Sequence, residues 1–469
     1  MTIQNSELEN YLGQLLKADY SSFENSPIEA PAIRVNTLKT TVPLFEAKLL
    51  KWQVDYRPHP INPTGFILKD DKLPLSHTLS FFLGDFFYQG IASQLPVLAL
   101  EPQPGETILD MSAAPGSKAT QIAALMNNSG RLVLNDPSPG RNAILIRHAH
   151  RAGILNDVVL RVPGQQIGQL FPDFFDRILV DAPCTGLGTF VAKPDEIKQW
   201  WSYHKLKKLS EIQYYLLISA VKAAKVGGTI VYSTCSIAPE ENEQVIQKIL
   251  KDYPVEIETL PGWTGFQFQH GMQNYQNHTF HPDLQKAVRI SPMAQPIEGF
   301  FIVRLKKVAA TRPGKMEKQM TYQATRRCEA DDVAPVIAQI EQRWGLAAEL
   351  LSPYRFMVGA KRIWMVHPQW ETVPEKSMVK VGMVLAEKKL NDWKLTNSSI
   401  QMFKSHITKG LLSIEDRDLI NLFQSGQLAF PGYAENYYVL NFRGENIGSV
   451  SLFGGRLKID IPHQFDLVL

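Results

Sequence analysis

From about residue 105 to 235, short strand-like runs alternate with helical patterns, and this alternation limits the fold more than any other feature of the chain. The runs lie at 107–110, 131–135, 158–162, 177–181 and 229–233, with helical patterns at 119–126 and 141–152 between successive runs. Strand–helix–strand units of this kind cross over right-handed, so the pattern predicts an α/β fold built on a doubly wound, Rossmann-like parallel sheet. An apolar run at 299–305 is a candidate closing strand of the same sheet.

At 469 residues the chain exceeds one ordinary core. Residues 1 to about 30 read as a helical leader. Strand-like runs at 32–35, 53–56 and 65–68, with a helix at 43–50, then make a small α/β module. The aromatic-rich stretch 81–100 reads as a single core-facing helix. After the sheet, Lys307, Arg312, Lys315 and Lys318 stand against one acid, Glu317, as a basic linker. Helical segments come next, and a strand-rich tail follows at 437–442, 448–453 and 457–461. The expected division is 1–100 for leader and small module, 101–306 for the main domain, 307–325 for the linker and 326–469 for a C-terminal α+β region.

Composition mainly excludes. Hydrophobic residues at 44% and charged residues at 20% are ordinary for a soluble protein. No apolar run approaches the roughly 18 residues of a membrane span, and the polar start is not a signal peptide, so a cytoplasmic location is expected. A formal charge of +3 does not by itself argue for nucleic acid. Three cysteines cannot build a disulfide framework and show no zinc spacing, so no metal is expected. Cysteines this few matter only by position.

Position singles out three loops. The first, Asp110-Met-Ser-Ala-Ala-Pro-Gly-Ser-Lys118, follows a strand and precedes a helix. In a doubly wound sheet a nucleoside cofactor sits there, because small residues admit it closely and the helix start offers free amides. The loop matches neither phosphate-binding glycine motif, which favours a cofactor without phosphates; a plain tight turn reads the same way in isolation. Asp136 ends the next strand, 20 residues after Gly116, where an acid accepts ribose hydroxyls. Together these suggest an adenosine-type ligand. The other two loops, Asp181-Ala-Pro-Cys-Thr-Gly186 and Ser233-Thr-Cys-Ser236, put Cys184 and Cys235 on the same rim.

Two cysteines facing one pocket suit methylation of carbon 5 of a cytosine. That carbon is a poor nucleophile until a thiolate adds to carbon 6 and opens the aromatic ring; afterwards the thiolate must be expelled, which a second cysteine can assist. Asp181 is placed to hold the exocyclic amine or N3, and Lys118 to favour the thiolate.

Asp181-Ala-Pro-Cys-Thr-Gly and Tyr232-Ser-Thr-Cys-Ser, followed by Pro239-Glu-Glu-Asn-Glu243, resemble the Nop/Sun family of RNA cytosine-C5 methyltransferases. The likeness extends to Arg34-Val-Asn-Thr-Leu-Lys39, Gln89 to Ser93, Ala114-Pro-Gly-Ser-Lys118, Val226-Gly-Gly-Thr and Gly299-Phe-Phe-Ile. It implies S-adenosylmethionine as cofactor, a Rossmann-like domain behind a small RNA-recognition-like module, Cys235 as nucleophile and Cys184 as the residue aiding release. Ser117, the chain length and the extra C-terminal region are similar to a bacterial branch that modifies small-subunit (16S) ribosomal RNA and ends in a PUA-like RNA-binding domain. The cofactor set this implies is Ser112, Ala113, Ala114, Pro115, Gly116, Ser117, Lys118, Asp136, Arg141, Pro163 and Asp181. At Pro163 the family usually has an Asp that holds the adenine amine; Gln165 or a carbonyl is the candidate substitute.

The expected partner is ribosomal RNA or the small ribosomal subunit, met by a monomer. Transfer RNA as substrate, or an RNA-binding assembly factor without catalysis, are the alternatives. Phe190, Trp200, Trp201 and Tyr203 are candidate base-stacking residues, although core packing is the plainer role. Lys388, Lys389, Lys394, Lys404 and Lys409 are candidate phosphate contacts, with a solvated surface the plainer reading. Cys328 lies outside the main domain and reads as structural.

Overall fold

In the computed structural model, which describes residues 4–69, 73–311, 325–327, 333–374, 377–389, 392–459 and 466–468, the central strand-like runs form a sheet covered on both faces. Strands β1 (Thr107–Asp110), β2 (Arg131–Asn135), β3 (Asp157–Leu160), β4 (Phe175–Asp181) and β5 (Ala224–Thr234) are parallel, in the order β3-β2-β1-β4-β5. Successive side chains leave opposite faces of a strand. Leu109, Val133 and Ile178 therefore enter one core, and Ile108, Leu132 and Leu179 the other. Burial on both faces explains why these runs are continuously apolar.

Helices α1 (Ser117–Leu125) and α2 (Pro139–Ala152) pack into one core, α3 (Tyr203–Ala223) into the other. The order reverses at β1, so the loops after β1, β2, β4 and β5 open on one carboxyl rim at the switch point. β6 (Phe300–Lys307) closes the sheet antiparallel to β5. Lys307, expected in the linker, is the last residue of that strand. It is 0% exposed and bonds Asp173 at 2.6 Å and the Ala224 carbonyl at 2.8 Å. Arg312, Lys315, Glu317, Lys318 and Cys328 lie outside the described residues.

The small module is a four-stranded antiparallel sheet of Tyr56–Pro58, Gly65–Leu68, Ala32–Val35 and Phe86–Tyr88, in that order. Its fourth strand corrects the expectation of one helix over 81–100. Gly84 (φ +81°) caps the short helix Leu79–Leu83 in the left-handed region, where glycine carries no steric cost. A Cβ there would also lie 2.2 Å from the Arg151 carbonyl oxygen, so the turn is where the module touches α2.

The C-terminal region departs from the expected order of helices, then strands. A four-stranded sheet of Arg355–Val358, Arg362–Val366, Met383–Lys389 and Asp392–Leu395 follows the helix Ala334–Trp344. A five-stranded sheet then contains the tail strands. Met378–Val381 pairs antiparallel with β3, extending the parallel sheet at its edge. Lys380 on this added strand bonds both carboxylate oxygens of Asp157 at 2.6 Å, with side-chain exposures of 4% and 0%. Among the described residues no helix is long and apolar enough to cross a membrane, and no group of three His, Cys, Asp or Glu is placed to hold a metal.

Candidate active site

The loop after β1 is shaped from both sides. Gly116 adopts φ +117°, and a Cβ there would press on Leu145 Cδ1 at 3.2 Å and His148 Cβ at 3.3 Å. Asn135 at the end of β2 donates to the Met111 and Val162 carbonyls at 3.1 Å and accepts from the Val162 amide at 3.1 Å. One side chain thus fixes three strand ends. From the small module, buried Arg34 donates to Thr120 Oγ1 at 2.7 Å and to the Ser117 carbonyl at 3.2 Å, with Gln89 bracing it at 2.8 Å. Arg34 and Gln89 therefore hold the first turn of α1, while Asn36 bonds the Gly84 and Ala152 carbonyls.

The residues present fit a nucleoside cofactor. Asp136 is fully buried; its Oδ1 accepts from the Ser138 amide at 2.9 Å, while Oδ2 has no hydrogen-bond donor and lies 3.1 Å from Arg141. Arg141 also donates to the Ala114 carbonyl, bridging Asp136 and the loop. Asp110, 1% exposed, has no side-chain partner at either carboxylate oxygen, and only the Ser112 amide supports its charge from the backbone. Burial, then the charge of Asp181, push its carboxyl up to about 7 against the pull of Lys118. Two buried carboxylates short of donors are unusual away from a ligand site.

Pro163 stands on the same rim, directly after Val162, but its carbonyl is taken by the Gln166 amide at 2.9 Å. Its ring offers no polar atom. Gln165 is exposed beside it.

The two cysteine loops converge on β1 from β4 and β5. The Cys184 and Cys235 sulfurs are 3.3 Å apart, and both residues are partly exposed. Hydrogen bonding to Cys235, then burial, push the Cys184 thiol well above its ordinary range, so Cys184 keeps its proton. Lys118 pairs with Asp181 at 2.8 Å and donates to Ser93 Oγ at 2.9 Å, with its ammonium 5.6 Å from the Phe300 ring centre. Burial disfavours that ammonium, but Asp181, Glu298 and Cys235 outweigh it and hold its pKa above the ordinary value. Ser233 donates to the other Asp181 oxygen at 2.7 Å.

A brace lies under both loops that spacing alone does not assign. Fully buried Glu241 accepts from the Thr185 amide at 2.8 Å, the Thr185 hydroxyl at 2.5 Å and Gln213 at 3.0 Å. Asn242 accepts from Thr234 at 2.6 Å and donates to the Ser236 carbonyl at 2.9 Å. In the sequence these residues belong to the Pro239-Glu-Glu-Asn-Glu243 run, whose spacing from the cysteines assigns them no role. Of the aromatic candidates, Phe190 and Trp201 are 3% exposed in a core shared with Phe23 and Tyr11, so they do not face RNA. Trp200 and Tyr203 are more open, Tyr203 at 38%.

The chain is similar to known proteins over most of its length. Residues 97–306 match the family model for 16S rRNA methyltransferase RsmB/F. Ribosomal RNA small subunit methyltransferase F of Aeromonas hydrophila is 31% identical over 450 residues, covering 92% of this chain and 90% of its own length. The 25S rRNA (cytosine-C(5))-methyltransferase nop2 of Schizosaccharomyces pombe is 37% identical over 298 residues, which is 62% of this chain and 48% of that protein. Among solved structures, a methyltransferase homologue from Pyrococcus horikoshii superimposes with a TM-score of 0.57 at 31% identity, covering 64% of this chain and 94% of that one.

Proposed function

This chain belongs to the Nop/Sun family of S-adenosylmethionine-dependent RNA (cytosine-C5)-methyltransferases, and from that premise we propose that it methylates carbon 5 of a cytosine in small-subunit (16S) ribosomal RNA through a covalent adduct on Cys235. The observation that carries the reading is the sulfur pair, 3.3 Å apart, beside the Lys118–Asp181 ion pair on one sheet rim. The names of the bacterial relatives support the small-subunit target. We further assign the enzyme to the cytoplasm, working as a monomer, with residues 326–469 as its RNA-holding region ending in a PUA-like β domain.

S-adenosylmethionine supplies the electrophilic methyl carbon when bound. Ser112 to Lys118, Asp136, Arg141, Pro163 and Asp181 line its proposed site, with Asp136 Oδ2 as acceptor for ribose hydroxyls. The Cys235 thiolate forms a bond to carbon 6, which moves the ring electrons to carbon 5. Asp181 receives the exocyclic amine, and Lys118 balances charge as it builds on the ring. After methylation the carbon 5 proton leaves and the sulfur–carbon 6 bond breaks. Cys184, still a thiol, hands its proton to the departing Cys235 sulfur and takes up the carbon 5 proton in exchange.

Labelled S-adenosylmethionine should transfer methyl to purified small subunits, released as 5-methylcytidine, and Cys235→Ala should abolish it. Cys184→Ala should accumulate a protein–RNA adduct that survives a denaturing gel. Label in transfer RNA alone would overturn the substrate, and full activity of Cys235→Ala would overturn the nucleophile.

A further inference from the structure

The N-terminal helix Ser6–Leu16 packs on the segments that follow the two cysteine loops. Leu8, Tyr11 and Leu12 are buried in one core with Leu187, Phe190 and Trp201 downstream of Cys184, and with Ile237 and Ala238 downstream of Cys235. Polar contacts fix how the helix sits. Asn5 Oδ1 accepts the Leu8 amide at 3.0 Å, and its Nδ2 donates to the Lys198 and Trp201 carbonyls at 3.0 Å. The Glu7 carboxylate accepts the Tyr203 amide at 3.1 Å, at the start of α3.

One further contact passes from the helix to the turn that braces the cysteines. The Tyr11 hydroxyl donates to Glu240 Oε2 at 2.7 Å, and both residues are 8% exposed. A carboxylate buried to that degree depends on its donors. The main chain is held at the same residue, where the Glu240 carbonyl accepts from Ser210 Oγ at 2.6 Å. Next in sequence come Glu241, which holds the Thr185 amide beside Cys184, and Asn242, which holds Thr234 and the Ser236 carbonyl on either side of Cys235. A displacement of Glu240 is therefore passed through adjacent peptide units to both loops, whose sulfurs are 3.3 Å apart.

Building on the methyltransferase reading above, we propose that Tyr11 is a positioning residue: by holding the Glu240 carboxylate it fixes the Glu240–Asn242 turn and, through it, the Cys184–Cys235 pair. Tyr11 acts only through Glu240 and moves no proton. Its ring centre lies 5.1 Å from that of Trp201, a packing that Tyr11→Phe keeps while losing the hydroxyl.

The test compares the wild type, Tyr11→Phe, Glu240→Gln and the double variant in single-turnover methylation of small-subunit RNA. RNA and S-adenosylmethionine are saturating, and the temperature is well below the melting of every variant. Tyr11→Phe should be about 10-fold slower, short of the roughly 100-fold that a misplacement of about 1 Å costs, with affinity for both ligands unchanged. Glu240→Gln leaves no charge to strand, so the double variant should lose less than the product of the two single losses. In RNA-free protein the same loosening should slow diamide-driven linking of Cys184 to Cys235, read by mass spectrometry. A merely structural role would lower the melting temperature and leave the saturated rate and the linking rate where they were. Wild-type rates in Tyr11→Phe, a loss confined to affinity, or strictly additive losses would overturn the proposal. Methyl transfer by Cys235→Ala, or none by the wild type, would sink the underlying reaction instead, and the linking rate would still decide the role of Tyr11.

Discussion

Replacing Asp110 by Asn keeps its shape and removes a buried charge that only the Ser112 amide supports. Asp110 is 1% exposed, and its carboxyl rises from 3.8 to about 7 through burial and then the charge of Asp181. A carboxyl raised on folding costs nothing below the unfolded value, where both states are protonated. Between that value and about 7 the unfolded chain ionises while the folded one keeps its proton, so stability falls as pH rises. The shift of 7 − 3.8 = 3.2 units, at 1.36 kcal/mol each, amounts to about 4 kcal/mol lost by pH 8 and about 2 kcal/mol by pH 5. Asp110→Asn should therefore stabilise the cofactor-free protein little at pH 4, by about 2 kcal/mol at pH 5 and by about 4 kcal/mol at pH 8. Urea unfolding at these pH values reads the gain directly. An equal gain at pH 5 and 8, or none at either, would show that the carboxylate is not an unpaired buried charge.

Lys380→Ala strands the fully buried Asp157 charge and should destabilise the protein by about 3–5 kcal/mol in urea. Adding Asp157→Asn should recover part of that loss, and an additive double variant would refute the pairing argument. Gly116→Ala forces a side chain into φ +117° and against Leu145 and His148. About 1–3 kcal/mol of strain at the loop should weaken S-adenosylmethionine binding about 5- to 150-fold by calorimetry, and unchanged affinity would mean the loop does not hold the cofactor.

The sheet was readable because every strand from β1 to β5 is apolar on both faces and separated by a helix length, a pattern with few alternative solutions. Phe81 to Leu100 misled because its aromatic residues serve two cores at once. Gly84 and Gly90 flank the strand, but isolated glycines in an apolar run are a weak signal. The sheet around Arg362–Val366 hid for a related reason: its strands are short, and several pack against the helix Ala334–Trp344 and the parallel sheet, so polar alternation survives mainly in Asp392–Leu395. At the site, the residues proposed to do chemistry sit at strand ends and could be named from position. Those that act from underneath, Glu241 and Asn242, could not be given roles, because their partners lie more than 50 positions away or across a turn.

Two sulfurs 3.3 Å apart cannot both be thiolates, so the surroundings must choose which one ionises. The charges on the two sides differ. Lys118, paired with Asp181 on the same rim, is attracted to the Cys235 side of the pair. Glu241 lies under the Cys184 loop and opposes a negative Cys184. In the proposed mechanism the hydrogen bond between them runs from the Cys184 thiol to the Cys235 sulfur, so that a proton stands ready for the departure of Cys235 from carbon 6. The same asymmetry predicts different losses: without Cys184 the first bond still forms and the second step stalls, whereas without Cys235 neither step begins.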